Sequence, residues 1–364
     1  MDPDPTMYGV NMLKSIIIKN FRGFQNVDCN NLSLINLVVG KNNVGKTAFL
    51  EALFLFFGRQ NPGLAMQIHA SRGLGAVKIG SGSVIESPWN SIFYNFDVTT
   101  PIKITCHDEH DTLALHISLN TSLDKNDISD TYSQSDRILK IKDSGFVHVL
   151  NFISSDEKEP YQLLLTNHGM RVNKIGISKT IAYYLHSCGI FESKERAELF
   201  TSIDATGRTN EIVEALQYIE PRLKRLSIGI IADEPIILGD IGATRLIPIS
   251  LMGDGTVRLF DLLIRIMNAK NGAVLIDEIE NGIHYSIQEK IWKVLGTCAK
   301  KYNVQIFAST HSLECIRNAF LALSSFEEEM FHVQRIERVG EDIRIKTFDM
   351  AKLETIFDLN LEVR

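Results

Sequence analysis

At 364 residues, 45% apolar and 23% charged, the chain is long enough for one large domain or two ordinary ones and has an ordinary globular composition. A formal charge of −6 shows no basic surplus of the kind that marks a constitutive nucleic-acid binder. No stretch reaches the roughly 18 apolar residues of a membrane span. The five cysteines lack paired spacing, which argues against a zinc site or a disulfide framework and suits a reducing cytoplasm.

The acidic stretch before Met12 reads as an extension outside the fold. Residues 13–19 read as a strand, and residues 20–24 (NFRGF) turn the chain toward a second strand near 32–39. That second run leads into GKNNVGKT, residues 40–47, which has the P-loop form G-x-x-x-x-G-K-[ST]. In such a loop, glycines let backbone N–H groups turn inward around phosphates, and the next helix adds its unpaired N–H groups and dipole. Lys46 is placed to reach the β- and γ-phosphates of a nucleotide, and Thr47 to hold Mg²⁺ through its hydroxyl. Residues 48–57 form a helix apolar almost all round, as expected beneath a central sheet. Residues 58–82 are rich in glycine and serine and read as a surface loop. Residues 102–106 and 113–119 read as strands of a mainly antiparallel layer. Residues 120–135 are polar and read as an exposed loop; 178–186, 193–200 and 209–226 read as helices. Arg222, Lys224 and Arg225 cluster there, as a local basic patch or a solvated helix end.

After residue 228 the pattern changes. The runs 273–276 and 304–309 are short and apolar, the signature of parallel strands covered on both faces. They end in Asp277-Glu278 and Thr310-His311, and an open α/β sheet binds ligands beyond the carboxyl ends of its strands. A helix over 286–301 supplies the crossover. The two ends of the chain therefore build one nucleotide-binding sheet, residues 12–120 and 228–364, with residues 121–227 as an inserted lobe carrying a helical arm. Gly253 and Gly255, just before an amphipathic helix, form either a second anion-ready helix start or a plain turn. Asp277 is placed to hold Mg²⁺ through water, and Glu278 to orient or deprotonate an attacking water; the alternative is a helix cap. His311 is placed for a γ-phosphate contact, the alternative being a structural histidine.

Asp277 lies more than two hundred positions after Lys46, farther than the compact P-loop domains of kinases or small GTPases insert. The base-reading N-K-x-D of G proteins is absent, which favours ATP over GTP. The split nucleotide domain, the G-x-G before Asp-Glu, the later histidine and the N-F-R-x-F opening (residues 20–24) together resemble the ABC-type ATPases of the SMC/RecF/OLD branch. Residues 89–96 (WNSIFYNF), 246–256 (LIPISLMGDGT), 275–286 (LIDEIENGIHYS) and 307–314 (FASTHSLE) are similar to the small OLD-like AAA ATPases, many of them from bacterial anti-phage or abortive-infection systems. The resemblance runs from Met12 over essentially the whole chain. It implies an α/β P-loop ABC-type fold with a central, mainly parallel sheet, an antiparallel β layer and an inserted helical lobe.

By position, the resemblance makes Gly40, Asn42, Asn43, Gly45, Lys46 and Thr47 the nucleotide and Mg²⁺ binders. It gives Gly253, Asp254 and Gly255 the signature role against the ATP of a second subunit. Asp277 becomes the metal support, Glu278 the catalytic carboxylate, Asn281 a residue of the dimer-crossing loop, and His311 the switch histidine. The signature lacks the serine of the usual S-G-G-Q form, which leaves backbone contacts. Gln60 and Gln67 are candidates for the family's metal-contacting glutamine. No clustered carboxylates of a Toprim nuclease follow His311. The expected activity is Mg-dependent ATP hydrolysis by a homodimeric switch in anti-phage defence that controls a separate effector, such as a nuclease or toxin. The alternative is a RecF-like repair ATPase that binds DNA directly.

Overall fold

The computed structural model describes residues 12–73, 88–120, 147–166, 169–178, 180–187, 193–359 and 361–363. The extension before Met12, Cys188 and nearly all of the loop expected over 120–135 lie outside the described residues.

Two sheets sandwich the P-loop helix. The first is antiparallel and seven-stranded: β1 (Ser15–Phe21), β2 (Phe24–Asn30), β4 (Ile102–His107), β5 (Thr112–Asn120), β6 (Val147–Ser154), β7 (Tyr161–Thr166) and β8 (Gly169–Val172), in the order β2-β1-β4-β5-β6-β7-β8. The second holds β3 (Ile35–Val39), β9 (Ala182–Leu185), β13 (Ala273–Ile276), β14 (Gln305–Ser309), β15 (Phe331–Val339) and β16 (Asp342–Phe348), ordered β16-β15-β3-β14-β13-β9. Its strands run parallel except β16, which pairs antiparallel with β15. A small hairpin sheet, β10 (Arg225–Ile231), β11 (Glu234–Asp240) and β12 (Ile247–Pro248), stands apart.

Strands β3, β13 and β14 are buried along their whole length, which explains their mostly apolar composition. On β3, Ile35, Leu37 and Val39 join one core while Val38 joins the other, the alternation of a pleated strand. Helix α1 (Lys46–Phe57) fills the core between the sheets, and every residue from Ala48 to Phe57 is buried. Helices α5 (Asp254–Asn268), α6 (Tyr285–Tyr302) and α7 (Leu313–Leu323) contribute to the core on the opposite face. The remaining helices are α2 (Leu64–Ser71), α3 (Ser193–Asp204), α4 (Thr209–Leu216) and α8 (Met350–Asp358). Among the described residues no helix is long and apolar enough to cross a membrane.

Several local expectations change. A strand, β2, begins already at Phe24 and precedes the one read near 32–39. Its residues are mostly polar and exposed, with only Phe24, Val27 and Cys29 buried, so the segment carries no apolar strand pattern. Within 58–82, residues 64–71 form α2, which buries Leu64, Ala65, Ile68 and His69. The helix expected over 178–186 is instead strand β9, parallel to β13 and anchored where the Ala273 N–H donates to the Ile181 carbonyl at 3.0 Å. The helix expected over 209–226 stops at Leu216, and Arg225 opens β10. The basic cluster is paired: Arg222 with Glu220 and Arg225 with Asp240. Strands from 147–172 and 182–185 thus extend both sheets.

Candidate functional site

The site forms where β3, β13 and β14 end on the same side. The loop leaving β3 needs glycine at two points. Gly40 has φ 144°, and a Cβ there would sit 2.4 Å from the Ile336 carbonyl oxygen. Gly45 has φ 111°, and its Cβ would meet the Phe24 ring at 2.7 Å. Both values of φ disfavour any L side chain. Lys46 folds back over the loop, donating from Nζ to the carbonyls of Gly40 at 2.8 Å and Lys41 at 3.1 Å. Burial lowers its pKa, against the opposing pull of Asp277, Glu278 and Glu280.

Thr47, the first-turn hydroxyl of α1, donates to Asp277 Oδ2 at 3.0 Å, joining the P-loop to the end of β13. The Asp277 Oδ1 accepts from the Ser309 hydroxyl at the end of β14, and that hydroxyl accepts from the Glu278 N–H at 2.9 Å. Glu278 adopts φ 49°, a left-handed backbone uncommon outside glycine, and its Oε2 accepts from Asn281 at 2.8 Å. The Arg258 guanidinium, reaching over from α5, donates to the carbonyls of Asp277 at 3.3 Å and Glu278 at 3.5 Å. His311, just beyond β14, donates its backbone N–H to Glu280 Oε1 at 3.0 Å, and its Nδ1 lies 3.1 Å from the same oxygen.

These groups open onto a cleft of about 630 Å³ lined by Asn42, Asn43, Gly45, Lys46, Thr47, Asp277, Glu278 and His311. Gly253, Asp254 and Gly255 do not line it; they begin α5 elsewhere, beside the loop of Gly282. Gln60 is buried against Glu157 at 2.7 Å, and Gln67 lines a different cleft, so neither candidate glutamine is at the P-loop.

Sequence reading missed three cations on the cleft wall: Arg22, Arg72 and Arg338. Two share a buried carboxylate. Glu51 on α1 is 1% exposed and pairs with Arg22 at 2.6 Å and with Arg72 through both oxygens, at 2.8 and 3.1 Å. Two signals were present, the arginine inside N-F-R-x-F and the one carboxylate on a largely apolar helix. Arg72 had none, since only the tertiary fold brings it to Glu51. A wall of cations facing Asp277 and Glu278 across glycine-rich backbone suits a polyphosphate with a water beside it.

The family model described as "AAA domain, putative AbiEii toxin, Type IV TA system" matches residues 35–317, well over half of the chain. The chain belongs to this family. An "ATP/GTP phosphatase" of Helicobacter pylori is 24% identical over 332 residues, spanning 84% of this chain and 86% of its own. An uncharacterized protein of Methanocaldococcus jannaschii is 51% identical over 45 residues, 12% of this chain and 20% of its own. Among solved structures, an Smc head bound to the C-terminal winged-helix domain of ScpA superposes with a TM-score of 0.51 at 12% identity, over 94% of this chain and 99% of its own. An Smc head with an extended coiled coil, bound to a ScpA domain from Pyrococcus furiosus, gives 0.50 at 11%, over 96% and 99%. At these identities the likeness is one of fold, that of a P-loop ABC-type ATPase head. This protein is thus a P-loop ATPase of the AAA-domain family with the fold of an Smc head.

Proposed function

We propose that this ATPase is a two-copy switch, each ATP lying between the P-loop of one copy and the Gly253–Gly255 turn of another. The observation that carries the reading is the separation of the two: the cleft holds Lys46, Thr47, Asp277, Glu278 and His311, and the signature turn lies outside it. That turn has space. A Cβ on Gly253 would touch nothing within 4 Å, and the neighbouring Leu251 and Tyr285 are 73% and 61% exposed. An isologous pairing would cover these side chains and supply backbone donors to the partner's phosphates.

In the closed site, Lys46 would exchange its carbonyl partners for β- and γ-phosphate oxygens. The Gly40 and Gly45 cradle, which any Cβ would fill, fits a phosphate chain. Mg²⁺ fits too: the Thr47 hydroxyl and the Asp277 carboxylate already meet, and with the ligand's own oxygens they would hold it, the ion supplying charge neutralisation when bound. Glu278, oriented by Asn281, would position the attacking water and take its proton. His311 would address the γ-phosphate.

The wider role follows the resemblance: slow, regulatory turnover in anti-phage defence, with the ATP-closed pair controlling a separate effector, a nuclease or toxin. The family's description, which names a toxin of a type IV toxin–antitoxin system, supports that setting. The test is Glu278→Gln, whose amide keeps the shape and loses the base. It should bind ATP, hydrolyse it at least about a hundredfold more slowly, and sediment as a dimer with ATP but not ADP. Turnover at the wild-type rate would remove Glu278 from the mechanism, and a monomer under ATP would remove the switch.

A further inference from the structure

We propose that Glu280 is a positioning residue for His311, fixing the ring's direction and its tautomer before nucleotide arrives. This rests on the reading that His311 addresses the γ-phosphate. Glu280 Oε1 accepts from the His311 backbone N–H at 3.0 Å and meets Nδ1 of the same residue at 3.1 Å. One oxygen thereby bonds the main chain and lies beside the ring.

The asymmetry between the partners matters. The His311 side chain is 54% exposed, whereas that of Glu280 is 10% exposed. An exposed imidazole on a strand end samples several rotamers, and reaching a phosphate from one of them costs entropy at the moment of binding. A buried anchor removes that cost in advance. A carboxylate oxygen beside Nδ1 favours the ring form with its N–H on that nitrogen, which leaves Nε2 to meet a phosphate oxygen.

The anchor is itself fixed. The Ile279 N–H donates to the Ser309 carbonyl at 3.0 Å, tying the loop after β13 to the end of β14, and the Ile283 N–H donates to the Glu280 carbonyl at 3.0 Å. Three carboxylates within four positions thus have separate partners: Asp277 meets Thr47 and Ser309, Glu278 meets Asn281, and Glu280 meets His311. Glu280 Oε2 is buried with no hydrogen-bond partner among the described residues, so Oε1 alone carries the contact to His311. That contact, together with the attraction of Lys46 and Arg258, offsets the cost of burying this carboxylate.

The experiment combines Glu280→Ala, Glu280→Gln, His311→Ala and Glu280→Ala with His311→Ala, all in the full chain. Long-range ¹⁵N NMR, with the resonance assigned through His311→Ala, should show His311 as the Nδ1–H tautomer in the parent and a tautomer mixture in Glu280→Ala. Steady-state hydrolysis should show kcat falling about tenfold or more in Glu280→Ala with KM little changed, and no further fall in the double variant than in His311→Ala. Glu280→Gln keeps an acceptor oxygen and should lie between, giving the same non-additivity if the alanine variant does not fold. Wild-type turnover in His311→Ala would overturn the reading of His311 itself. An impaired His311→Ala beside an unimpaired Glu280→Ala, losses that multiply in the double variant, or an unchanged His311 tautomer without Glu280 would each overturn the positioning role.

Discussion

Replacing Glu51 with alanine tests whether the buried charge cluster under the P-loop is a structural necessity. Glu51 is 1% exposed and neutralises two guanidinium groups, Arg22 at 11% and Arg72 at 39% side-chain exposure. Arg72 can swing into water when its partner goes. Arg22 cannot, since it sits in the β1–β2 turn with φ 49°, and burial already holds its pKa below the usual arginine value against the pull of Glu51. The cost is therefore that of one stranded charge, about 3–5 kcal/mol, with little discount for the second arginine. Glu51→Gln keeps one acceptor and should lose about half as much. Urea unfolding followed by tryptophan fluorescence measures both, because Trp89 and Trp292 are buried in the two cores. A Glu51→Ala protein within about 1 kcal/mol of the parent would show that water already solvates the cluster and that the argument is wrong.

Two further expectations follow from local geometry. Gly45→Ala forces a side chain into φ 111° with its Cβ against the Phe24 ring, so it should cost about 1–3 kcal/mol and weaken ATP binding; a variant that melts and binds like the parent would refute the steric reading. His69, beside Trp89, has its pKa lowered from 6.5 to about 4 by burial first and then by Arg22 and Arg72. The unfolded chain takes up a proton there before the folded one, so this part of the stability is complete above pH 6.5 and is lost as pH falls toward 4. His69→Phe should flatten the acid side of the stability curve in that window, and parallel curves for the two proteins would count against it.

What the sequence showed and what it concealed divide along physical lines. The P-loop was legible because its glycines, lysine and threonine are contiguous and their spacing is set by phosphate geometry. Strands β13 and β14 were legible because burial on both faces leaves short, mostly apolar runs just before Asp277 and Thr310-His311. Strand β9 was hidden: it has four residues, and its place depends on pairing with β13 rather than on local pattern. Helix α2 was masked by the glycines and serines around it, although it buries His69 next to the cleft's arginines. The Glu51 hub and the Glu280–His311 pair join residues 21 and 31 positions apart, and no periodicity reports such contacts. Residues 147–185 are the least legible part, because β6 to β8 extend a sheet begun at β1 and β9 is completed only by β13, far along the chain.

The central claim, a site shared between two copies, is tested by mixing. A Lys46→Ala chain keeps its signature turn, and a Gly253→Asp chain keeps its P-loop while placing a carboxylate where the partner's phosphates would lie. Each alone should be inactive. Mixed in equal amounts, they should regain hydrolysis, with at most one working site per dimer. Activity that returns on mixing and falls away on dilution below the dimerisation range is the expected result; full activity in the Gly253→Asp chain alone, at any dilution, would show that one copy holds a complete site.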